Sequence, residues 1–300
     1  MKKKTYLFTL MAMALTLGSC SDNENGIGGE TSKYITVSTS IGNMTRVATD
    51  ANGGQTFEEG DEISVYAWTG NATVAPETRE RVVNNAINKL TNGSWVSTPQ
   101  MLWKNNRDKH YFIGVYPISA ISDLSAGEYT FDVNKQTESD LLVAVNADGL
   151  SYNADEQQTV PLTFTHVMSK LAVNLTYKNQ WGGIPTVEKV VVGNAAKEAT
   201  INYLTKVVTP STTAKEDFSL PEITENTKYV SVIIPQEDVK QLTIVIGGKN
   251  FVYDNGTPFK LESGKITTVN LEVGRDEIKL GDVKITDWEN GSTFSGEALN

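Results

Sequence analysis

The chain has 300 residues, enough for about two domains, and 39% of them are hydrophobic, enough to bury a core in each. Acidic residues outnumber basic ones 36 to 26, for a formal net charge of −10. A surface this acidic offers no footprint for nucleic acid and is repelled by anionic lipid. The single cysteine, Cys20, excludes an intrachain disulfide.

Residues 1–20 stand apart from any fold. Lys2, Lys3 and Lys4 form a basic start, and TYLFTLMAMALTLGS supplies an apolar run too short to span a bilayer as a permanent helix. This is an export signal. Its end, LTLGSC, resembles the bacterial lipobox, in which a leucine and small residues precede a cysteine that becomes the lipidated first residue. Cys20 is therefore the expected lipid anchor. Residues 21–32 are polar and glycine-rich and read as a flexible tether.

The first strand is expected within YITVSTSIGNMTRVATD, residues 34–50. Alternation places Ile35, Val37 and Ile41 on one face, with Tyr34, Thr36, Ser38 and Ser40 on the other. DEISVYAW (61–68) alternates as a second strand, and RERVVNNAINKL (79–90) sets Val83, Ala86, Ile87 and Leu90 at helical spacing despite its asparagines. KHYFIGVYP (109–117) reads as a strand buried on both faces, ended by Pro117. Further strands are expected at 128–134, 141–146, 160–178, 187–193, 229–235, 241–248 and 265–273, with one helical turn in PQEDVKQL (235–242). Many short strands with turn signals such as ANGG, TNGS and DNGT between them argue for antiparallel β-sandwiches. The domain boundary falls near residue 160, after the polar stretch SYNADEQQT.

Signals for chemistry are sparse. His110 and His166 are the only histidines; each lies in a strand among apolar neighbours, which suits a structural role better than a metal centre needing three or four converging ligands. Aligning Gly149 with the sixth position of a calcium loop places Ala144 first, where an oxygen ligand is required. No phosphate loop, dinucleotide glycine pattern or nucleophile elbow occurs. The five tryptophans, Trp68, Trp95, Trp103, Trp181 and Trp288, lie in or near expected strands, where packing is their commoner use. No cofactor is implied, and an enzyme is the losing hypothesis.

FEEGDEISVYAW (57–68), HYFIGVYP (110–117), DLLVA (140–144), LTFTHVMSKLAVNL (162–175) and ITDWENG (285–291) occur in the order seen in the fimbrillin-like family. The chain resembles these lipoprotein-derived subunits of surface fimbriae in gut and oral anaerobes over nearly all of its mature length. The resemblance implies two transthyretin-like β-sandwiches in tandem, residues 33–160 and 161–300. It implies an outer-membrane lipoprotein held by Cys20, on the cell surface or in a fimbrium, and Asp22 and Glu24 fit export to the outer face. It also implies assembly by strand exchange: an arginine-specific protease removes the first strand, and an extended segment of another subunit fills the groove. Arg46 is the only arginine between Cys20 and Arg79, so processing between Arg46 and Val47 is expected, with Ile35, Val37 and Ile41 on the detachable strand. EIKLGDVKITDW (277–288), carrying Ile278, Leu280, Val283 and Ile285, is either a donor strand or the ordinary last strand of the second sandwich. The expected partners are other fimbrial subunits. The competing reading is a surface lipoprotein that never polymerises and binds a glycan or host ligand.

Overall fold

The computed structural model describes residues 33–42, 56–156 and 158–288. Cys20, Arg46 and Val47 lie outside them. In the first half the strands are β1 (Thr36–Ile41), β2 (Glu62–Thr69), β3 (Val83–Thr91), β4 (Ser94–Thr98), β5 (His110–Tyr116), β6 (Gly127–Thr130), β7 (Leu142–Leu150) and β8 (Thr159–His166). There follow β9 (Ser169–Tyr177), β10 (Val187–Ala196), β11 (Glu198–Asn202), β12 (Val207–Pro210), β13 (Lys215–Ser219) and β14 (Glu222–Thr224). The last five are β15 (Lys228–Ile233), β16 (Gln241–Ile246), β17 (Lys249–Asp254), β18 (Lys265–Val273) and β19 (Ile278–Asp287). The protein is all-β.

Seven strands form the first sheet, in the order β1-β8-β7-β5-β2-β3-β4. Its middle strands are buried on both faces, and the sequence shows why. On β2, Ile63, Val65 and Ala67 enter one core while Tyr66 and Trp68 enter another. β5 repeats the pattern, with Phe112 on one side and Ile113 and Val115 on the other. Between β2 and β7, the backbone at Gly114 passes so close to Phe164 that an added Cβ would stand 2.6 Å from Cζ. Only glycine fits there.

The C-terminal half supplies a five-stranded sheet, β14-β15-β9-β18-β19, and a four-stranded one, β13-β10-β16-β17. A third, β12-β11-β6, joins the halves, because β6 of the first pairs with β11 of the second. The larger core is likewise continuous between them, running from Tyr66 and Trp68 to Leu171 and Val269. The apolar run at 160–178 divides at Val167–Met168: β8 pairs with β7 in the first sheet, and β9 with β15 in the five-stranded sheet. The expected boundary at residue 160 therefore falls inside β8.

Three expectations are corrected. Residues 83–91 form a strand and not a helix. The register between β2 and β3 shifts where Val65 faces Ala86 and Ala67 faces Val83, so β3 carries one extra residue there, with Asn85 at φ 57°. Such a bulge puts Val83 and Ala86 on one face three residues apart, which imitates helical spacing. The turn expected at 235–242 is absent, since Gln236 and Leu261 exchange backbone hydrogen bonds of 2.9 and 3.2 Å across a β-bridge. Nor is the pairing wholly antiparallel: β1 runs parallel to β8, and β9 parallel to β18.

Candidate functional site

β1 occupies one edge of the first sheet, in register from Thr36 opposite Thr159 to Ile41 opposite Phe164. Ile35, Val37 and Ile41 are 2, 6 and 7% exposed and pack with Val160, Leu162 and Phe164 of β8. The expected inward face is the observed one. Phe57 braces the floor, its ring centroid 5.1 Å from Phe164, 5.3 Å from Trp95 and 5.4 Å from Tyr116.

Polar contacts fix the register. On the outer face Thr36 Oγ1 donates to the Gln158 carbonyl at 3.2 Å, and Ser40 Oγ donates to Thr163 Oγ1 at 3.2 Å. On the inner face, between Val37 and Ile41, Thr39 Oγ1 accepts the Trp95 indole N–H at 3.0 Å. Upstream, Ile35 N–H donates to the Met101 carbonyl at 2.9 Å and Trp103 N–H to the Lys33 carbonyl at 3.2 Å. Downstream, Gly42 N–H closes on the Phe164 carbonyl at 2.8 Å. The other edge of β1 faces a cleft of about 580 Å³, bordered by Phe57, Leu90 and Trp95.

The six-residue ladder of β1 runs to β8 alone, and its apolar side chains enter the core on one face only.

The arginines nearest the expected cut are in different surroundings. Arg79 is exposed and lies 2.8 Å from Glu77. Arg81 is buried; it donates to the carbonyls of Ile121 and Ser122, each at 2.6 Å, and its guanidinium lies 5.4 Å from the Tyr66 ring. Burial pulls its pKa below the usual arginine value, against the partial compensation of Tyr66 and Asp123.

The second expected segment forms β19, an edge strand antiparallel to β18. Leu280, Val283 and Ile285 are 38, 37 and 40% exposed, and Ile278 is half-buried. A register shift at Gly281 places Leu280 opposite Leu271 and Asp282 opposite Asn270. The strand ends in a buried clamp. Trp288 stacks on His166 at 4.0 Å and 7°, while Lys170 Nζ stands 4.0 Å from its ring centroid. His166 Nδ1 in turn lies 2.8 Å from Asp140 Oδ1.

His110 is fully buried against Trp103. Its Nε2 accepts the Lys104 amide at 3.0 Å, so Nδ1 carries the proton toward the Asp108 carbonyl at 3.1 Å. Burial lowers its pKa, only partly offset by Asp108. Both histidines thus have packing and hydrogen-bonding roles. Trp68, Trp103 and Trp288 are buried and Trp95 and Trp181 half-buried, so none is a flat exposed platform. Among the described residues, no three His, Cys, Asp or Glu side chains are grouped to hold a metal.

Sequence reasoning missed the Trp95–Thr39 contact and the seating of residues 33–35 on 101–103. The hydroxyl contacts had a legible signal: Thr36, Ser38 and Ser40 alternate on β1, and Thr159 and Thr163 stand opposite the first and last of them on β8.

A family model described as fimbrillin-like matches residues 45–288. No curated protein matches the sequence. The fold is similar to that of a candidate cell adhesion protein from Bacteroides uniformis, with TM-score 0.63 and 19% identity over 85% of this chain and 98% of that one. A candidate cell adhesion protein from Bacteroides ovatus gives 0.61 and 18% over 85% and 98%. A fimbrial protein from Bacteroides vulgatus gives 0.51 and 13% over 84% and 99%.

Proposed function

The chain belongs to the fimbrillin-like family, and on that premise we propose that it is a fimbrial-type surface protein whose work is assembly and adhesion rather than catalysis. The observation that carries the reading is β1. Over Thr36–Ile41 it is an edge strand paired with β8 alone, with one buried face and a cleft beside it, while residues 33–35 just ahead of it also bond to 101–103. Its partners are other fimbrial subunits, which exchange strands with it. The precursor is lipidated at Cys20 and held to the outer membrane by that anchor. Cleavage between Arg46 and Val47 then cuts the covalent link to β1, and the segment leaves when a competing strand arrives. β19, with its half-exposed apolar stripe, is the segment offered in return. The two halves, dividing between β8 and β9 rather than at residue 160, act as tandem sandwiches with transthyretin-like topology.

Exchange replaces one set of backbone bonds and apolar contacts by another. Its net drive is therefore far smaller than the gross burial of the groove, and the cut strand should persist until displaced. The experiment is mass spectrometry of the protein's N-terminus in two fractions of producing cells. Unassembled protein should begin at an acylated Cys20, and assembled protein at Val47. Arg46→Ala should accumulate the first form and assemble poorly; if it assembles as well as the parent, β1 is an ordinary first strand.

A further inference from the structure

Lys33 is where residues 21–32 hand over to the fold, and its surroundings differ in charge from the rest of the molecule. From Cys20 onward, 26 basic residues less the three of the signal leave 23 against 36 acidic ones. The segment joining β4 to β5 reverses that balance. Lys104, Arg107 and Lys109 are all exposed there, and Asp108 is the one acid of residues 101–109. The backbone brings this segment to Lys33, because Trp103 N–H donates to the Lys33 carbonyl at 3.2 Å. Lys104 Nζ donates to Thr69 Oγ1 at 3.2 Å and Lys109 Nζ to the Asp148 carbonyl at 3.3 Å, neutral acceptors that leave each charge in place. Asp108 accepts from the Asn105 side-chain amide at 2.8 Å. Even counting Asp148, and Asp155 and Glu156 of the β7–β8 connection, this end is balanced where the chain as a whole is strongly acidic.

An exposed apolar pair accompanies the cations. Tyr34 and Leu102 face each other across an antiparallel bridge and are 47 and 50% exposed, while Ile35, Met101 and Trp103 beside them are buried. A tyrosine and an aliphatic side chain among lysines and arginine suit the boundary between a bilayer and water. The tether says which bilayer. A flexible chain the length of residues 21–32 spans about 20 Å on average. An anchor on Cys20 therefore holds this end at a roughly millimolar effective concentration against the membrane surface. A contact too weak to recruit the free protein is then enough to dock it. The acidic remainder is repelled by anionic headgroups, and that repulsion turns this end toward them.

We propose that this end of the first sheet docks on the anionic phosphate headgroups of the membrane that holds the Cys20 anchor. Lys33, Lys104, Arg107 and Lys109 meet the phosphates, and Tyr34 and Leu102 enter the interface. The proposal rests on the reading of Cys20 as the lipid anchor and adds an orientation to it: the anchored chain sits with this end on the bilayer and does not float on its tether. Each cation near an anionic surface strengthens such a contact about fivefold.

The test uses the chain from Cys20 onward, coupled through its sole thiol to a maleimide lipid in phosphatidylcholine vesicles made with or without phosphatidylglycerol. Amide hydrogen exchange is read in each form relative to the same chain uncoupled. On the vesicles containing phosphatidylglycerol, the amides of 104–109 should exchange at least about fivefold more slowly. The β3–β4 turn at Asn92 and Gly93, at the opposite end of the sheet, should be unchanged. The triple variant Lys104→Gln, Arg107→Gln and Lys109→Gln changes only exposed side chains and should lose the protection; Leu102→Ser should weaken it. Protection that is equal in parent and triple variant, or absent from both, overturns the docking and leaves the anchor standing. Because the coupling is chemical, that result is independent of processing in the cell. Mass spectrometry of the N-terminal peptide from producing cells tests the anchor separately, and an unacylated Cys20 there removes the membrane and the proposal with it.

Discussion

His110 illustrates how much of a residue's behaviour is imposed by its surroundings. A histidine on a strand between a lysine and an aromatic run gives no hint of its tautomer. Burial beside Trp103 and Phe112 disfavours the imidazolium, and Nε2 is committed as acceptor to the Lys104 amide, so protonation there would set two donors against each other. Its folded pKa is lowered from the 6.5 of an unperturbed histidine, with burial the main cause. The sign follows. Below pH 6.5 the unfolded chain gains a proton that the folded chain refuses, so stability is complete above that value and is lost as pH falls toward the lower folded pKa. His110→Gln, whose side-chain oxygen can still accept from Lys104, removes this dependence. The gap between parent and variant melting temperatures should narrow from pH 7.5 to pH 5; a gap that stays constant or widens contradicts the assignment.

At the scale of elements, β1 and β19 are both edge strands, but they are held differently. β1 inserts three aliphatic side chains into a core, whereas β19 lies over β18 with its apolar stripe about two-fifths exposed. Its largest buried anchor is Trp288, at the very end, between His166 and Lys170. Truncating a buried tryptophan to alanine costs roughly 3–5 kcal/mol. Here that loss falls on one strand, not the whole domain, because β9 and β18 keep their own parallel pairing. Trp288→Ala should raise hydrogen exchange of the 278–287 amides at least about tenfold while leaving β9 and β10 protected. Uniform loss of protection across β9, β10 and β18 would mean that Trp288 is a core residue of the domain at large. β3 shows the converse lesson: its two buried residues sit at helical spacing because a bulge inserts a residue, and sequence periodicity alone cannot distinguish the two.

Across the whole molecule, the two halves share structure at two places. β6 completes a sheet with β11 of the other half, and Tyr66, Trp68 and Val115 pack in one continuous core with Leu171, Val190 and Val269. Units that share a core lose it together. Thermal unfolding of the full chain should be one transition, with the calorimetric enthalpy matching the van't Hoff value. Two separated transitions would show that the shared strand and core contribute little coupling.

Local pattern in the sequence determined the all-β class, most strand positions and the inward face of β1. Alternation at 35–41 and 63–68 and doubly apolar runs such as 110–116 follow from the two-residue period of a strand, which no distant contact alters. The ordered set of family segments likewise needed no coordinates. What only the tertiary structure decided depends on partners far apart in the chain. The parallel pairing of β1 with a strand more than 100 residues later, the hydroxyl at Thr39 answering Trp95, and the clamp that joins Trp288 to His166 have no local signature. Backbone pairing is nearly indifferent to side-chain identity, so a sequence announces that a strand will form well before it reveals which edge that strand will meet.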